Sequence, residues 1–144
     1  MVKGRINNVI RIPTSLKGEF FRYWLEFLLP FHHLTAREID VVTAFLKLRF
    51  ELSKSITDPK LLDEVTMSDK AKHKIKEECN ISPSHFQVIM SKLKKCGIIK
   101  DNRINPKFIP KHVSDKDDAF QLLLYFDLDK DDSKDEPENR GNNS

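Results

Sequence analysis

Apolar residues recur with a helical period in four stretches of this chain, and the polar residues between them mark where each stretch starts and stops. In residues 15–31, Phe20, Phe21, Trp24, Phe27, Leu28 and Phe31 fall at three- and four-residue steps, with Tyr23, Leu25 and Leu29 beside them. That spacing predicts one helix, capped by Ser15 and ended at Leu29-Pro30, because proline disfavours helical backbone at the residue before it. Its apolar surface is too broad for a single contact. The expectation is a helix that buries two faces, one in its own domain and one against a second copy or a partner protein, with Phe20, Phe21, Trp24, Phe27 and Phe31 at the oligomer interface.

The second stretch, Leu34–Ser55, opens on a capping box: Thr35 is the N-cap, Glu38 stands three residues on, and Leu34 is placed as the hydrophobic staple. Ile39, Val42, Phe45, Leu46, Arg49 and Phe50 form its stripe. Residues 56–67 are largely polar, with Pro59 and a short apolar cluster of Leu61, Leu62 and Val65. A loop with a short helix is expected there.

The third and fourth stretches lie close together. Ala71, Ile75 and Cys79 sit four apart and predict a helix over Asp69–Cys79. Ser82 is an N-cap with Pro83 at the first helical position, Phe86, Ile89, Met90 and Leu93 make one stripe, and Gly97 is the stop. Only Asn80-Ile81 separates the two helices, so they must cross steeply. After Gly97, Ile98-Ile99-Lys100 and Arg103-Ile104-Asn105 flank Asp101-Asn102. Asx residues tolerate positive φ, which predicts a two-residue hairpin turn.

The run Ala119–Leu128 is apolar, short and bounded by aspartates, which favours a strand beside the hairpin or at its edge. Residues 1–14 read as a basic arm, 15–128 as the domain, and 129–144 as an acidic tail; the stretch from Lys130 onward lacks apolar residues and is expected to be disordered alone. The fold class expected is therefore mainly α with a small β-hairpin.

Helix, short turn, helix and hairpin in this order resemble the winged helix-turn-helix family of DNA-binding domains. The resemblance covers Asp69–Pro110, or Thr35–Pro110 with the preceding helix, and rests on element order, the Ser82-Pro83 cap and the hairpin after Gly97. It implies that the helix after Ser82 enters the major groove of double-stranded DNA. Ser84, His85, Gln87 and Ser91 would reach bases or phosphates. Lys92, Lys94 and Lys95, with Lys70, Lys72 and Lys74 on the first helix of the pair, would neutralise backbone, and Lys100 and Arg103 would flank the wing tip.

Charge fits a polyanion partner. The net charge of +3 hides an uneven distribution: residues 1–112 hold 21 Lys/Arg against 12 Asp/Glu, and residues 113–144 hold 4 against 10. Within Lys70–Lys111 there are 11 basic and 3 acidic residues. The acidic tail is expected either to compete with DNA for the basic face or to dock on another subunit's basic arm.

Catalytic chemistry is hard to find. Four glycines do not cluster into a phosphate loop, and no GxSxG or HExxH occurs. His32-His33 lacks ligand partners at defined spacing and reads as a linker or interface pair. Cys79 and Cys96 have no metal spacing and fit a reduced intracellular protein. The expectation is a non-enzyme without metal or cofactor. Leu25–Leu34 is too short to span a bilayer, so no membrane partner is expected. The Lys-, Ile-, Asn- and Phe-rich composition, poor in Gly and Arg, is similar to proteins of bacteriophages infecting low-GC bacteria. That similarity implies a second reading: a virion structural or assembly protein, a ring or connector subunit, that uses the same fold to dock other phage proteins. The location implied is the bacterial cytoplasm, or the virion under this second reading.

Overall fold

The longest helix begins where its capping residues place it. In the computed structural model, which describes residues 6–129, Thr35 Oγ1 accepts from the Glu38 N–H at 3.3 Å and Glu38 Oε1 accepts from the Thr35 N–H at 2.9 Å. Two of the helix's orphan amides are thereby satisfied, and Leu34 is buried against the core as the staple. The helix runs Ala36–Ser53 and is the third of six among the described residues. Before it come α1 (Phe20–Phe27) and α2 (Leu29–His32); after it, counted as α3, come α4 (Pro59–Thr66), α5 (Asp69–Glu78) and α6 (Pro83–Lys95). Strands β1 (Ile99–Lys100) and β2 (Arg103–Ile104) then pair antiparallel, and a 3-10 turn spans Pro106–Phe108. The molecule is mainly helical with a small two-stranded sheet, as the pattern predicts.

Helix α3 is the hub, packed against α1, α4 and α5. Val41, Val42, Phe45 and Leu46 are almost fully enclosed, and so are Leu25 of α1, Ile75 of α5, Leu93 of α6 and Ile98. Each such side chain contributes on the order of 1.5–3 kcal/mol through burial alone. The hairpin is anchored on α4: Asp63 accepts from Arg49 of α3 at 3.2 Å and lies 3.6 Å from the Arg103 guanidinium of β2.

The N-terminal helix departs from expectation. It starts at Phe20, with Glu19 rather than Ser15 at the cap position; Ser15 instead accepts, through its carbonyl, the amides of Gly18 and Phe20 in a preceding turn. Nor is it one helix. Pro30 has no N–H to give the Glu26 carbonyl and its ring crowds that carbonyl, so the axis breaks at Leu28 and Pro30 serves in the first turn of the separate α2. The expected single helix ending at Leu29 is therefore corrected to two.

His32 is not a linker residue but part of the core, 3% exposed. Its Nδ1 accepts the Leu34 N–H at 3.0 Å, so its Nε2–H donates to the Leu25 carbonyl at 2.7 Å. His33 follows at φ 55° and turns the chain into α3.

The expected third strand over Ala119–Leu128 is absent: among the described residues β1 pairs only with β2. Strands of two residues offer too few edge amides and carbonyls to hold a ten-residue partner. Phe120 instead packs edge-on against Phe20 and Trp24, at ring distances of 5.0 and 5.9 Å. Residues 6–14 of the basic arm carry no regular structure and are exposed. Met1–Arg5, and the tail from Lys130 on, lie outside the described residues.

Candidate nucleic-acid interface

Helix α6 owes its position to a cap, a stripe and a stop. Ser82 Oγ accepts the His85 N–H at 3.3 Å, and Pro83 sits in the first turn. Phe86, Ile89, Met90 and Leu93 are buried. Gly97 adopts φ +86°, which a residue with a Cβ rarely takes, and ends the helix. The turn before the helix has the same logic. Asn80 stands at φ 53°, Ile81 is buried beneath it, and the Arg37 guanidinium of α3 donates to the carbonyls of Cys79 and of Asn80, the latter at 3.2 Å. Arg37 was not among the residues singled out from sequence, because its partners are backbone carbonyls 42 and 43 residues away that no side-chain pattern encodes.

With its apolar stripe turned inward, α6 exposes Ser84, His85, Gln87, Ser91, Lys92, Lys94 and Lys95. Val88 joins them at 65% exposed, midway along the outer face. It too was missed, although the 84, 88, 91, 95 spacing is simply the complement of the buried stripe. A valine there offers a methyl surface of the kind that packs on a thymine methyl.

The hairpin brings two more cations together. Lys100 and Arg103 are direct cross-strand partners, so both side chains leave the same face. Asp101 and Asn102 between them take φ 57° and 56°, which is the type I′ geometry that matches the twist of a two-residue hairpin. Asn105 closes the base, its N–H donating to the Ile98 carbonyl at 2.7 Å and its side-chain amide to the Gly97 carbonyl at 3.0 Å.

Not all the named cations are equally available. Lys92 pairs with Glu38 at 3.4 Å, and Arg103 shares Asp63 with Arg49. Lys94, Lys95 and Lys100 make no ion pair among the described residues. On α5, Lys70 and Lys74 stand one turn apart and exposed, whereas Lys72 is half-buried and leaves from another side. Lys76, not named from sequence, lies 5.8 Å from the Phe86 ring centroid and covers the start of α6.

The five aromatic residues expected at an oligomer interface separate into two groups. Phe20 and Phe21 are buried within the chain, Phe21 against Phe50 of α3 at 5.8 Å. Trp24 is half-buried, and its Nε1–H donates to the Phe108 carbonyl at 2.8 Å. Both faces of α1 are thus largely used at home, one by α3 and the other by the chain that follows the hairpin. Only Phe27 and Phe31, joined by Leu29, remain exposed.

No group of three or more His, Cys, Asp or Glu residues among those described is arranged to hold a metal ion, and both cysteines are free thiols. Burial pushes the Cys79 thiol pKa up, against the opposing pull of Arg37. No described helix is long and apolar enough to cross a membrane. Comparison with protein-family models, with curated proteins and with solved structures finds no match to this chain.

Proposed function

We propose that the chain is a winged helix-turn-helix protein that binds double-stranded DNA, as a transcriptional regulator or replication accessory. Helix α6 is the recognition helix, α5 its supporting helix, α3 the first helix of the trihelical core, and the β1–β2 hairpin the wing. The observation that carries this reading is the outer face of α6. It is exposed, polar over its N-terminal half apart from Val88, and cationic over its last turn, and the Lys100–Arg103 pair follows directly behind it. A groove-reading helix needs that order: small polar and amide groups where bases are met, cations where the phosphates rise. Gln87 suits a bidentate contact to an adenine edge, and Lys94, Lys95 and Lys100, which make no ion pair among the described residues, neutralise backbone.

The test is fluorescence anisotropy of a random duplex as salt is raised. With four or five phosphate contacts, log affinity falls against log salt with a slope of about −4, and Lys95→Ala flattens that slope by about 0.9. Absence of binding at 50 mM salt (roughly the low end where such contacts are strongest) overturns the reading.

A second reading, a bacteriophage virion or assembly subunit that uses the same fold for docking protein, is favoured by the exposed apolar run Leu122–Leu128 and by Phe27, Leu29 and Phe31. It predicts a defined oligomer with no affinity for the duplex, and the same titration run beside light scattering separates the two.

A further inference from the structure

Beyond the hairpin the chain builds a cleft of about 560 Å³, well away in sequence from the residues of α6. Its apolar walls are Trp24, Ile109 and Phe120, and Lys107, Lys111 and His112 supply cationic or hydrogen-bonding groups around them. The chain leaves this cleft through Phe120 and Gln121, and then runs into a segment with the opposite problem. Phe126 is 87% exposed and Leu128 83%, with Asp127 and Asp129 interleaved. One feature is an apolar hollow edged by cations. The other is a pair of apolar anchors alternating with carboxylates.

We propose that the cleft receives the segment Tyr125–Asp129 of a second copy of this chain, Phe126 packing onto the wall formed by Trp24, Ile109 and Phe120 while Asp127 and Asp129 meet Lys107 and Lys111. Charge and apolar character match on both sides: cations edge the apolar hollow, and carboxylates flank the apolar anchors. Chain length argues for a second copy. Residues 119–129 contain no glycine, proline or asparagine to turn the chain back tightly. Extended, the five steps from Gln121 to Phe126 carry the phenyl ring roughly 16 Å away from the cleft it starts beside. Exchange of this segment between copies lets each cleft be filled without a sharp reversal. It also makes the site bipartite, one copy supplying the walls and the other the anchor.

Trp24 is the single tryptophan of the chain, so its emission reports on the cleft directly. The experiment measures mass by sedimentation and light scattering, with tryptophan emission in parallel, for the full chain without DNA from low to high micromolar concentration. The expected result is a rise in mass with concentration, accompanied by a blue shift as Phe126 covers Trp24, both reduced by salt. Phe126→Asp changes a residue that supports nothing in its own copy, so helical content stays and the protein remains monomeric. Lys107→Glu/Lys111→Glu is monomeric as well. A mixture of these two variants retains one intact cleft and one intact segment and forms a heterodimer. A wild-type monomer at every concentration overturns the proposal, as does an oligomer that survives Phe126→Asp. A monomer whose tryptophan emission shifts on Phe126→Asp shows the segment seated in its own cleft, and overturns exchange between copies. None of these outcomes depends on whether α6 binds DNA.

Discussion

Glu38 both caps α3 and restrains a cation of the proposed DNA face, which makes Glu38→Gln an informative change. The carboxylate is only 14% exposed; it accepts the Thr35 amide at 2.9 Å and holds Lys92 at 3.4 Å. Glutamine keeps an oxygen for the Thr35 amide but not the charge that draws Lys92 back to α3. The loss to stability is set by a half-exposed ion pair, about 1 kcal/mol, and by the favourable placement of an acid in a helix's first turn, about 0.3–1 kcal/mol. The gain to binding is larger if the released ammonium reaches a phosphate. One added contact steepens the salt slope by about 0.9, which at 0.1 M salt is roughly an 8-fold tighter complex, about 1.2 kcal/mol, and at 0.3 M only about 3-fold. Anisotropy titrations of a random duplex across salt, with thermal melts to verify folding, measure both numbers. The gain should vanish when Lys92→Ala is introduced into the same background. A folded Glu38→Gln protein that binds no tighter than wild type, or whose slope is unchanged, refutes the placement of Lys92 at a phosphate.

Other consequences concern stability and reactivity. Thr43 buries a hydroxyl that has no hydrogen-bond partner among the described residues, so Thr43→Val, which keeps the shape and removes the polar atom, should raise the urea midpoint by the equivalent of about 1 kcal/mol. His32→Leu strands the Leu34 amide in the core, while the Leu25 carbonyl keeps the Leu28 N–H at 3.1 Å, and should cost about 1–3 kcal/mol in the same assay; an unchanged midpoint would show that water satisfies the amide. Burial raises the Cys79 thiol pKa, so alkylation of Cys79 at mildly alkaline pH should be slower in the native protein than in urea. The sign follows for folding: the folded state holds this proton more tightly, so any contribution is complete below the unfolded thiol's pKa and is lost as pH rises through the raised value.

Much of the α3–α6 region was legible because its signals are local. A capping box, a Ser-Pro cap, a glycine stop and an Asp-Asn turn each act within four residues, and the apolar stripe of α6 specifies its exposed face by subtraction. The candidate site was legible to the same extent. What failed were readings that depended on a partner elsewhere in the chain. Ala119–Leu128 has the composition of a strand, but a strand exists only where another offers an edge, and a hairpin of two-residue strands offers almost none.

The sequence by itself determined the helices with caps and stops of their own, the hairpin turn, and the uneven distribution of charge. Tertiary structure decided which apolar faces were consumed. The aromatic surplus of Phe20–Phe31 looked like an interface, yet α3 covers Phe21 on one side, while Phe108 and Phe120 return from the far end of the chain to cover Trp24 and Phe20 on the other. It also decided that His32 is core, that Arg37 locks the α5–α6 turn, and that Lys92 is held by Glu38. The physical reason is common to all of these. Burial and pairing are relations between residues distant in sequence, and a pattern read along the chain records what each residue can do, not which partner reaches it first.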